Sequence, residues 1–460
     1  MNLLATYIAT SLASVPWTAE RVAEKAVERS PEIMAAAAER RSAGASTEAA
    51  ESLLLPRVQL SARYTRLSRI ENDPLVALGV DFDAARANVA GIGDVNTRDA
   101  LKQQIGILEG LDGVTIGVPT DQYSLNASVT LPISQVLFEA LPALQAAKRG
   151  EQASDLEIAA ARHAVALGAV EAYYQHFLAQ RALRIAELSV ASATTAEAQA
   201  RSRVAEGLST EADLLRFVAR RAEASRLLAA RQADVDRSAA AVRVLAGIGG
   251  AGPLPLAPLP TVPREMAASA EEAIQRRPEL RALRKVLASQ RARARAFEGG
   301  VLPQLSASFE VISADPNPNF VPPPDGFDTN WQATALLSWS PDGAWRASRN
   351  GTAAWREADA LAARVEALED AVRIEVASEA AGMRAAQARV LAAEEGVEAA
   401  REGWASISRG FELGVFDATD LIEAQLELER ARLARIDARV ARRISAARLW
   451  TALGHSVLNP

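Results

Sequence analysis

Two similar stretches of sequence decide the fold: Arg203-Val-Ala-Glu-Gly207-Leu-Ser209-Thr-Glu-Ala-Asp213-Leu-Leu and Phe411-Glu-Leu-Gly414-Val-Phe416-Asp417-Ala-Thr-Asp420-Leu-Ile. Each interrupts an alanine-rich helical pattern with a glycine, follows it with Ser209 or Asp417, and places an aspartate six residues after the glycine. Glycine tolerates the left-handed backbone that ends a helix, and a serine or aspartate side chain accepts the free amide protons that begin the next one. Both stretches therefore predict the tip of a helical hairpin.

The spacing of other landmarks shows that the chain is one unit written twice. Gly207 and Gly414 are 207 positions apart, as are Gly247 and Gly454. The Pro-Glu pairs at 31–32 and 278–279 are 247 positions apart, as are the Leu-Pro pairs at 55–56 and 302–303. The offset changes after the second of these landmarks, so we expect an insertion in the first copy, a surface loop over 69–121 with one short helix near 99–111.

This spacing also predicts the domain organisation. Residues 15–248 and 266–460 are expected to form two structural repeats, joined by a linker at 249–265 that is rich in Pro and Gly. Residues 1–14 have a brief apolar run but no Lys or Arg. They are either a short or truncated signal segment or a frayed start of the chain.

Composition excludes several classes of function. The 460 residues carry a net charge of −6, which argues against a nucleic-acid partner. The chain lacks cysteine and has three histidines, His163, His176 and His455, without metal-ligand spacing. No Ser-His-Asp set or phosphate-binding loop is apparent, so we expect no enzyme, no cofactor and no metal site.

Four stretches of about ten residues alternate between apolar and small polar side chains, and predict strands near 57–66, 122–132, 303–312 and 331–340. Such strands either cover one side of a soluble core or face lipid with one side and water with the other. Aromatic residues near the ends of the apolar faces favour the membrane interpretation, as interface residues: Tyr64, Tyr123, Trp331 and Trp339. Four strands cannot close a barrel, so closure would need several chains.

Long helices follow each pair of strands. No proline occurs between Pro142 and Ala205, and apolar residues recur there at alternating spacings of four and three. In the second copy they recur every seven residues, at Val376, Met383, Val390, Val397 and Trp404. The pattern fits a ring of helices or an ordinary two-helix coiled coil.

Taken together, these motifs resemble the TolC family of outer-membrane efflux proteins. The resemblance rests on the order of the Pro-Glu helix starts, the Leu-Pro pairs before the strands and the Gly-x5-Asp-Leu tips, each present twice. It implies a mainly α fold with a β-barrel part, in which each repeat has two strands and a long coiled-coil helical hairpin. A homotrimer would build a twelve-stranded β-barrel in the outer membrane of a Gram-negative bacterium, continued by a periplasmic α-helical barrel.

The function implied by the resemblance is that of a passive exit duct without catalytic chemistry. The duct would serve a tripartite efflux pump or a type I secretion system. Its coiled-coil tips would dock a periplasmic adaptor (membrane fusion protein) that belongs to an inner-membrane pump or exporter. The alternative is a soluble or peripheral coiled-coil scaffold, similar to an adaptor and without a pore.

Site residues are carried over from the family position by position. The resemblance assigns adaptor docking to the tips, at Gly207, Ser209, Asp213, Gly414 and Asp417. It also implies a pore constriction at Asp420, and helical spacing extends the acidic row to Glu423 and Glu427. Phe411 and Phe416 stand where the family has a Tyr and an Arg that bond the tips together. We therefore expect closure by apolar packing of Phe411, Leu413 and Phe416.

Overall fold

The computed structural model describes residues 16–68, 78–112, 120–207, 209–250, 254–261, 267–319 and 326–458. In these parts the chain is mainly helical with one four-stranded sheet, and each repeat supplies two strands and a long helical hairpin. The predicted fold class is confirmed by these elements. None of the helices in the described segments combines the length and the hydropathy that a membrane-crossing helix needs.

The first repeat begins with two helices that Pro31 separates. Thr18 caps the first of them by accepting a hydrogen bond from the Arg21 amide at 3.2 Å, and Pro31 takes the first position of the second, where its missing N–H costs nothing. The elements are α1 Ala19–Arg29, α2 Pro31–Ser52, β1 Arg57–Arg66, α3 Phe82–Ala90, α4 Val95–Leu111, β2 Asp121–Leu131, a short helical turn Ile133–Gln135, a π-helical turn Val136–Ala140, α5 Leu141–Ala205 and α6 Glu211–Ala246.

The second repeat has the same order without the inserted helices. Its elements are α7 Ala270–Arg276, α8 Pro278–Gly299, β3 Gln304–Asp315, β4 Asp328–Ser338, α9 Pro341–Glu412 and α10 Ala418–Ala452. The prediction of a loop with one short helix for the insertion was wrong in part. Asp81 caps α3 and Asp94 caps α4, so the described part of the insertion is a helical pair joined by the ion pair of Arg86 and Glu109.

The chain divides into two compact units, and both repeats contribute to each. One unit comprises Met1–Ala49, Ala143–Ala294 and Thr352–Pro460, and holds the helical hairpins. The other comprises Ala50–Pro142 and Arg295–Gly351, and holds the sheet and the insertion.

The sheet is an antiparallel meander in the order β1-β2-β3-β4, and its two faces differ in polarity. Cross-strand partners share a face. One face carries the rows Val58–Val129–Phe309–Ala333 and Leu60–Ala127–Val311–Trp331, and the other carries the rows Gln59–Ser128–Glu310–Gln332 and Arg63–Ser124–Ala314–Asp328.

Burial on this sheet is the reverse of that in a water-soluble sheet. Val58 and Leu60 are 70% and 78% exposed, and Trp331 is 68% exposed. Along β2 every apolar residue from Tyr123 to Leu131 is exposed, whereas the polar residues between them are half-buried. On the central strands β2 and β3 the polar face is therefore the more covered one, whereas both faces of the edge strands β1 and β4 are mostly exposed.

The hairpin unit has two large apolar clusters and a small third one near the tips around Phe217. The first joins α1, α5, α6, α10 and the linker through Val22, Tyr173, Val242, Val440 and Leu254. The second joins α7, α8, α9 and α10 through residues that include Leu280, Val372 and Leu449. In α9 the heptad positions Val376, Met383, Val390 and Val397 are all buried, and Trp404 is half-buried.

Candidate functional site: the hairpin tips and the linker belt

Both tips turn at a glycine in the left-handed conformation. Gly207 has φ 73° and Gly414 has φ 76°, values that side chains with a Cβ rarely adopt. The Gly207 amide donates to the Val204 carbonyl at 3.0 Å, and the Val415 amide donates to the Gly410 carbonyl at 2.8 Å. These bonds satisfy the last carbonyls of α5 and α9 and let the chain reverse within a few residues.

Each returning helix begins with a capping box, and one predicted cap was wrong. Thr210, not Ser209, caps α6: its hydroxyl accepts from the Asp213 amide, and Asp213 accepts from the Thr210 amide. Asp417 and Asp420 do the same for α10. Ser209 donates to the Asp213 carboxylate from outside the helix at 3.3 Å. Thr210 and Asp417 are 207 positions apart, which is the same offset as that between the two tip glycines. The repeat offset could therefore have identified Thr210 as the capping residue.

Hydrogen bonds stabilise the charged form of two of the carboxylates in these capping boxes, Asp213 and Asp417. The Thr210 hydroxyl donates to Asp213 at 2.7 Å, and this bond holds the pKa of Asp213 below its ordinary value. The pKa of Asp417 is lowered chiefly by the Asp420 amide, with a smaller contribution from the Arg216 charge. Both of these carboxylates are therefore ionised wherever ordinary aspartates are.

The three acidic residues of the predicted constriction differ in their surroundings. Asp420 is half-buried and accepts from the Asp417 amide at 3.0 Å. Glu423 and Glu427 are exposed, and Glu427 lies 3.8 Å from the Arg430 guanidinium. At their spacing the three share one face of α10. Within one chain, Asp420 is a helix cap and the other two carboxylates are available to solvent.

Of the three apolar residues expected to close the tips, one lies between the two hairpins. The Phe411 ring meets Phe217 of the first hairpin edge-on, with centroids 6.3 Å apart, and the Arg203 guanidinium lies 4.8 Å from its centroid. Phe416 packs on its own hairpin, where a Cβ on Gly410 would lie 2.7 Å from Phe416 Cε2. Leu413 is 81% exposed, so little of its side chain packs against the described residues.

A buried ion pair near the tips was missed by the sequence analysis. Arg220 of α6 donates to Glu429 of α10 at 2.6 Å and to Ser189 of α5 at 3.0 Å, and its side chain is 5% exposed. Its Nε and Nη1 atoms have no hydrogen-bond partner among the described residues. Desolvation makes such a group costly once its carboxylate partner is removed. Arg220 therefore fixes the relative position of three helices.

Side chains of the helices hold the linker between the repeats by donating hydrogen bonds to its carbonyl groups. Gln180 donates to the Leu254 carbonyl at 3.0 Å, Tyr173 to the Ala257 carbonyl at 3.3 Å, and Arg443 to the Pro260 carbonyl. The three carbonyls recur every third residue, as on a polyproline II helix. Trp17 pairs with the same segment, because its amide donates to Pro255 and its carbonyl accepts from Ala257 at 2.8 Å. We call residues 254–260 with these partners the belt.

His176 lies under the belt and is neutral there. Its Nδ1 is 2.9 Å from Ser238 Oγ and its Nε2 is 3.0 Å from Gln180 Nε2. Since the Gln180 amide nitrogen can only donate, Nε2 must accept and Nδ1 must carry the proton. Burial lowers the pKa of His176 to about 4, with a smaller contribution from Arg243. The histidine is thus a packed residue whose two ring nitrogens both take part in hydrogen bonds.

The aromatic residues predicted for the membrane interface fall near two ends of the apolar face. Tyr64 and Tyr123 are cross-strand partners with centroids 5.1 Å apart, and Phe327, which the sequence analysis missed, is 6.3 Å from Tyr123. Trp331 stacks on Phe309 near the same end. Trp339 follows β4 at the opposite end and donates to the Val301 carbonyl at 3.1 Å.

Comparison with known structures shows the same fold. The outer-membrane channel OprN is 18% identical, with a TM-score of 0.77 over 96% of this chain and 91% of that chain. VceC, an outer membrane protein from Vibrio cholerae, is 16% identical, with a TM-score of 0.72 over 95% and 96%. MtrE of Neisseria gonorrhoeae, an outer membrane channel in its open state, is 16% identical, with a TM-score of 0.73 over 95% and 89%.

Sequence comparison identifies the family. No curated protein sequence matches the chain. The family model for outer membrane efflux proteins matches residues 22–248 and 270–455, which together span both repeats. The chain belongs to the outer membrane efflux protein family, whose members are channels and not enzymes.

Proposed function

We propose that three copies of this chain form a passive exit duct that crosses the outer membrane and docks a periplasmic adaptor through its helical tips. The observation that carries the proposal is the reversed polarity of the sheet. Its apolar face is exposed, and on the central strands β2 and β3 its polar face is the more covered one, as lipid outside and water inside require. The alternative, a soluble or peripheral coiled-coil scaffold without a pore, would not require the apolar face of the sheet to be exposed.

The free edges of the sheet support closure by other copies. Among the described residues, β1 and β4 each pair on one side only. An exposed strand edge needs a partner, and three chains would supply twelve strands to a closed barrel. The aromatic residues at both ends of the apolar face fit the two interfaces of a bilayer.

The surface of the second tip supports docking of an adaptor. Leu413 and Val415 are 81% and 72% exposed on either side of Gly414, and both are apolar. Such side chains at the end of a hairpin fit a partner that covers them. The carboxylates of Asp420, Glu423 and Glu427 would form rings around a threefold axis and favour cations at the inner end of the duct.

Single-channel recording of the detergent-purified protein in a planar bilayer tests the proposal. We expect stable, mostly closed pores from a species with three times the 48.8 kDa mass of one chain. Protein that remains monomeric without detergent and never conducts would contradict the duct.

A further inference from the structure

An arginine without an ionic partner lies on the polar face of the sheet, near the end of β1. Within the described residues, no carboxylate lies within ion-pair distance of Arg63. The other arginines of β1 are engaged: Arg57 donates to Gln135 at 2.8 Å, and Arg66, on the apolar face, lies 4.0 Å from Asp121. Among the described residues, Arg63 is therefore the cation of this strand that lies on the polar face without an ion pair and is available to a solute.

The exposed Arg63 side chain forms part of the wall of a cavity. After β3 the chain turns back over the polar face, so Asn317 is completely buried there. Its amide donates to the Asp328 carbonyl at 3.0 Å and to Asn330 Oδ1 at 2.8 Å, which fixes the turn. The cavity has a volume of about 380 Å³, and its polar lining consists of Arg63, Thr65, Gln122, Ser124 and Asn317.

The charge around the cavity favours an anion. None of the described residues that line it is acidic. Two carboxylates share the polar face. Glu310 is bound by the Gln332 amide at 2.7 Å. Within one chain, Asp328 lies on β4, three strands from β1, which corresponds to about 14 Å at the usual strand spacing. An exposed guanidinium at the wall of a cavity whose other polar residues are neutral matches a phosphate or carboxylate group.

We infer that Arg63 is an anion-binding residue of the lumen, which takes the phosphate or carboxylate group of a solute on its way through the β-sheet part of the duct. The inference rests on the proposed function, because the polar face must line the lumen for a solute to reach it. Three copies would place three such arginines around the axis. The duct would then carry opposite charges in its two parts, with carboxylates at the tips and guanidinium groups in the barrel.

Planar-bilayer recording of the full-length protein tests this inference with inorganic pyrophosphate as the anionic probe. We would compare the wild type with Arg63→Gln, with Arg63→Lys, and with the matched control Arg66→Gln, which removes the same charge from the opposite face of the same strand. Arg63→Gln should shift the reversal potential in a KCl gradient towards that of a more cation-selective pore. It should also weaken pyrophosphate block about tenfold, the loss expected for one charged hydrogen-bonded contact.

The outcomes separate this inference from the proposed function. Arg63→Lys should retain most of the block, and Arg66→Gln should match the wild type in both measurements. Pores whose selectivity and block are the same in Arg63→Gln as in the wild type would overturn the role of Arg63 and leave the duct intact. A wild-type protein that forms no pores would overturn the duct and this inference with it.

Discussion

Arg220 of the first hairpin donates to Glu429 of the second across 2.6 Å, in surroundings from which solvent is almost excluded. The two residues are 209 positions apart, and their pairing ties α6 to α10 close to the tips. Because two other nitrogens of this guanidinium have no partner, the carboxylate of Glu429 is its main source of compensation.

Loss of the Glu429 charge should therefore destabilise the tips. We expect Glu429→Gln to cost about 3 kcal/mol, because it leaves a buried cation without its counter-charge. The double change Arg220→Met with Glu429→Leu should recover most of that loss, since it removes both charges. Limited proteolysis at the tips and chemical unfolding measure the effect.

The control for this prediction lies on the same helix. Arg216 pairs with Asp213 at 3.2 Å, but its side chain is 53% exposed. Arg216→Gln should cost less than about 0.5 kcal/mol, as exposed pairs of this spacing do. Equal effects of Glu429→Gln and Arg216→Gln would show that burial of Arg220 does not matter.

Closure of the tips should depend on Phe411 more than on its neighbours. Phe411→Ala removes the contacts with Phe217 and Arg203, and we expect a loss of about 2 kcal/mol and a higher open probability. Leu413→Ala, at an exposed position of the same tip, should leave the resting conductance unchanged. Recordings in which the two variants behave alike would exclude Phe411 as a closing residue.

The sequence predicted the fold well because local signals were repeated. Glycines, prolines and alternating strands recur at two fixed offsets, so each element was supported by a second copy. The contacts between the hairpins had no such support. At the repeat offset Phe411 corresponds to Val204, and Phe217 corresponds to Ala424. The repeat therefore contains no second, equivalent pair of aromatic residues. Periodicity shows that a face is apolar, but it does not show which distant face covers it.

The acidic row on α10 should set ion selectivity at the inner end. Glu423→Gln with Glu427→Gln removes two exposed charges per chain, and we expect cation selectivity to fall in a KCl gradient. Asp417→Asn is the matched control, because asparagine also caps helices well and the lost charge lies outside the row. A fall in selectivity that is as large in the control would assign the effect to net charge at the tip and not to a ring.

The belt should depend on the hydroxyl group of Tyr173 and not on that of its neighbour Tyr174. Tyr173 donates to the belt at Ala257 and to the Trp17 carbonyl, whereas Tyr174 has no contact with a belt carbonyl among the described residues. Burial raises the pKa of both to about 12, so both hydroxyls stay protonated. Tyr173→Phe should cost about 1 kcal/mol and speed hydrogen exchange at the Ala257 amide. Tyr174→Phe should have neither effect. Similar hydrogen exchange in the two variants would contradict the role of the Tyr173 hydroxyl in holding the belt.

The belt should also weaken as the pH falls. The pKa of His176 is about 4 in the folded chain and 6.5 in the unfolded chain, so between these values the unfolded state binds more protons. The stability that this histidine contributes is complete above pH 6.5 and is lost as the pH falls towards 4, by at most about 3 kcal/mol. Protonated Nε2 would face the Gln180 amide donor, which also holds the Leu254 carbonyl. Chemical unfolding at several pH values would compare the wild type with His176→Gln, in which other groups titrate alike. The difference between the two should shrink across this window, and parallel curves would show that His176 is not the titrating group.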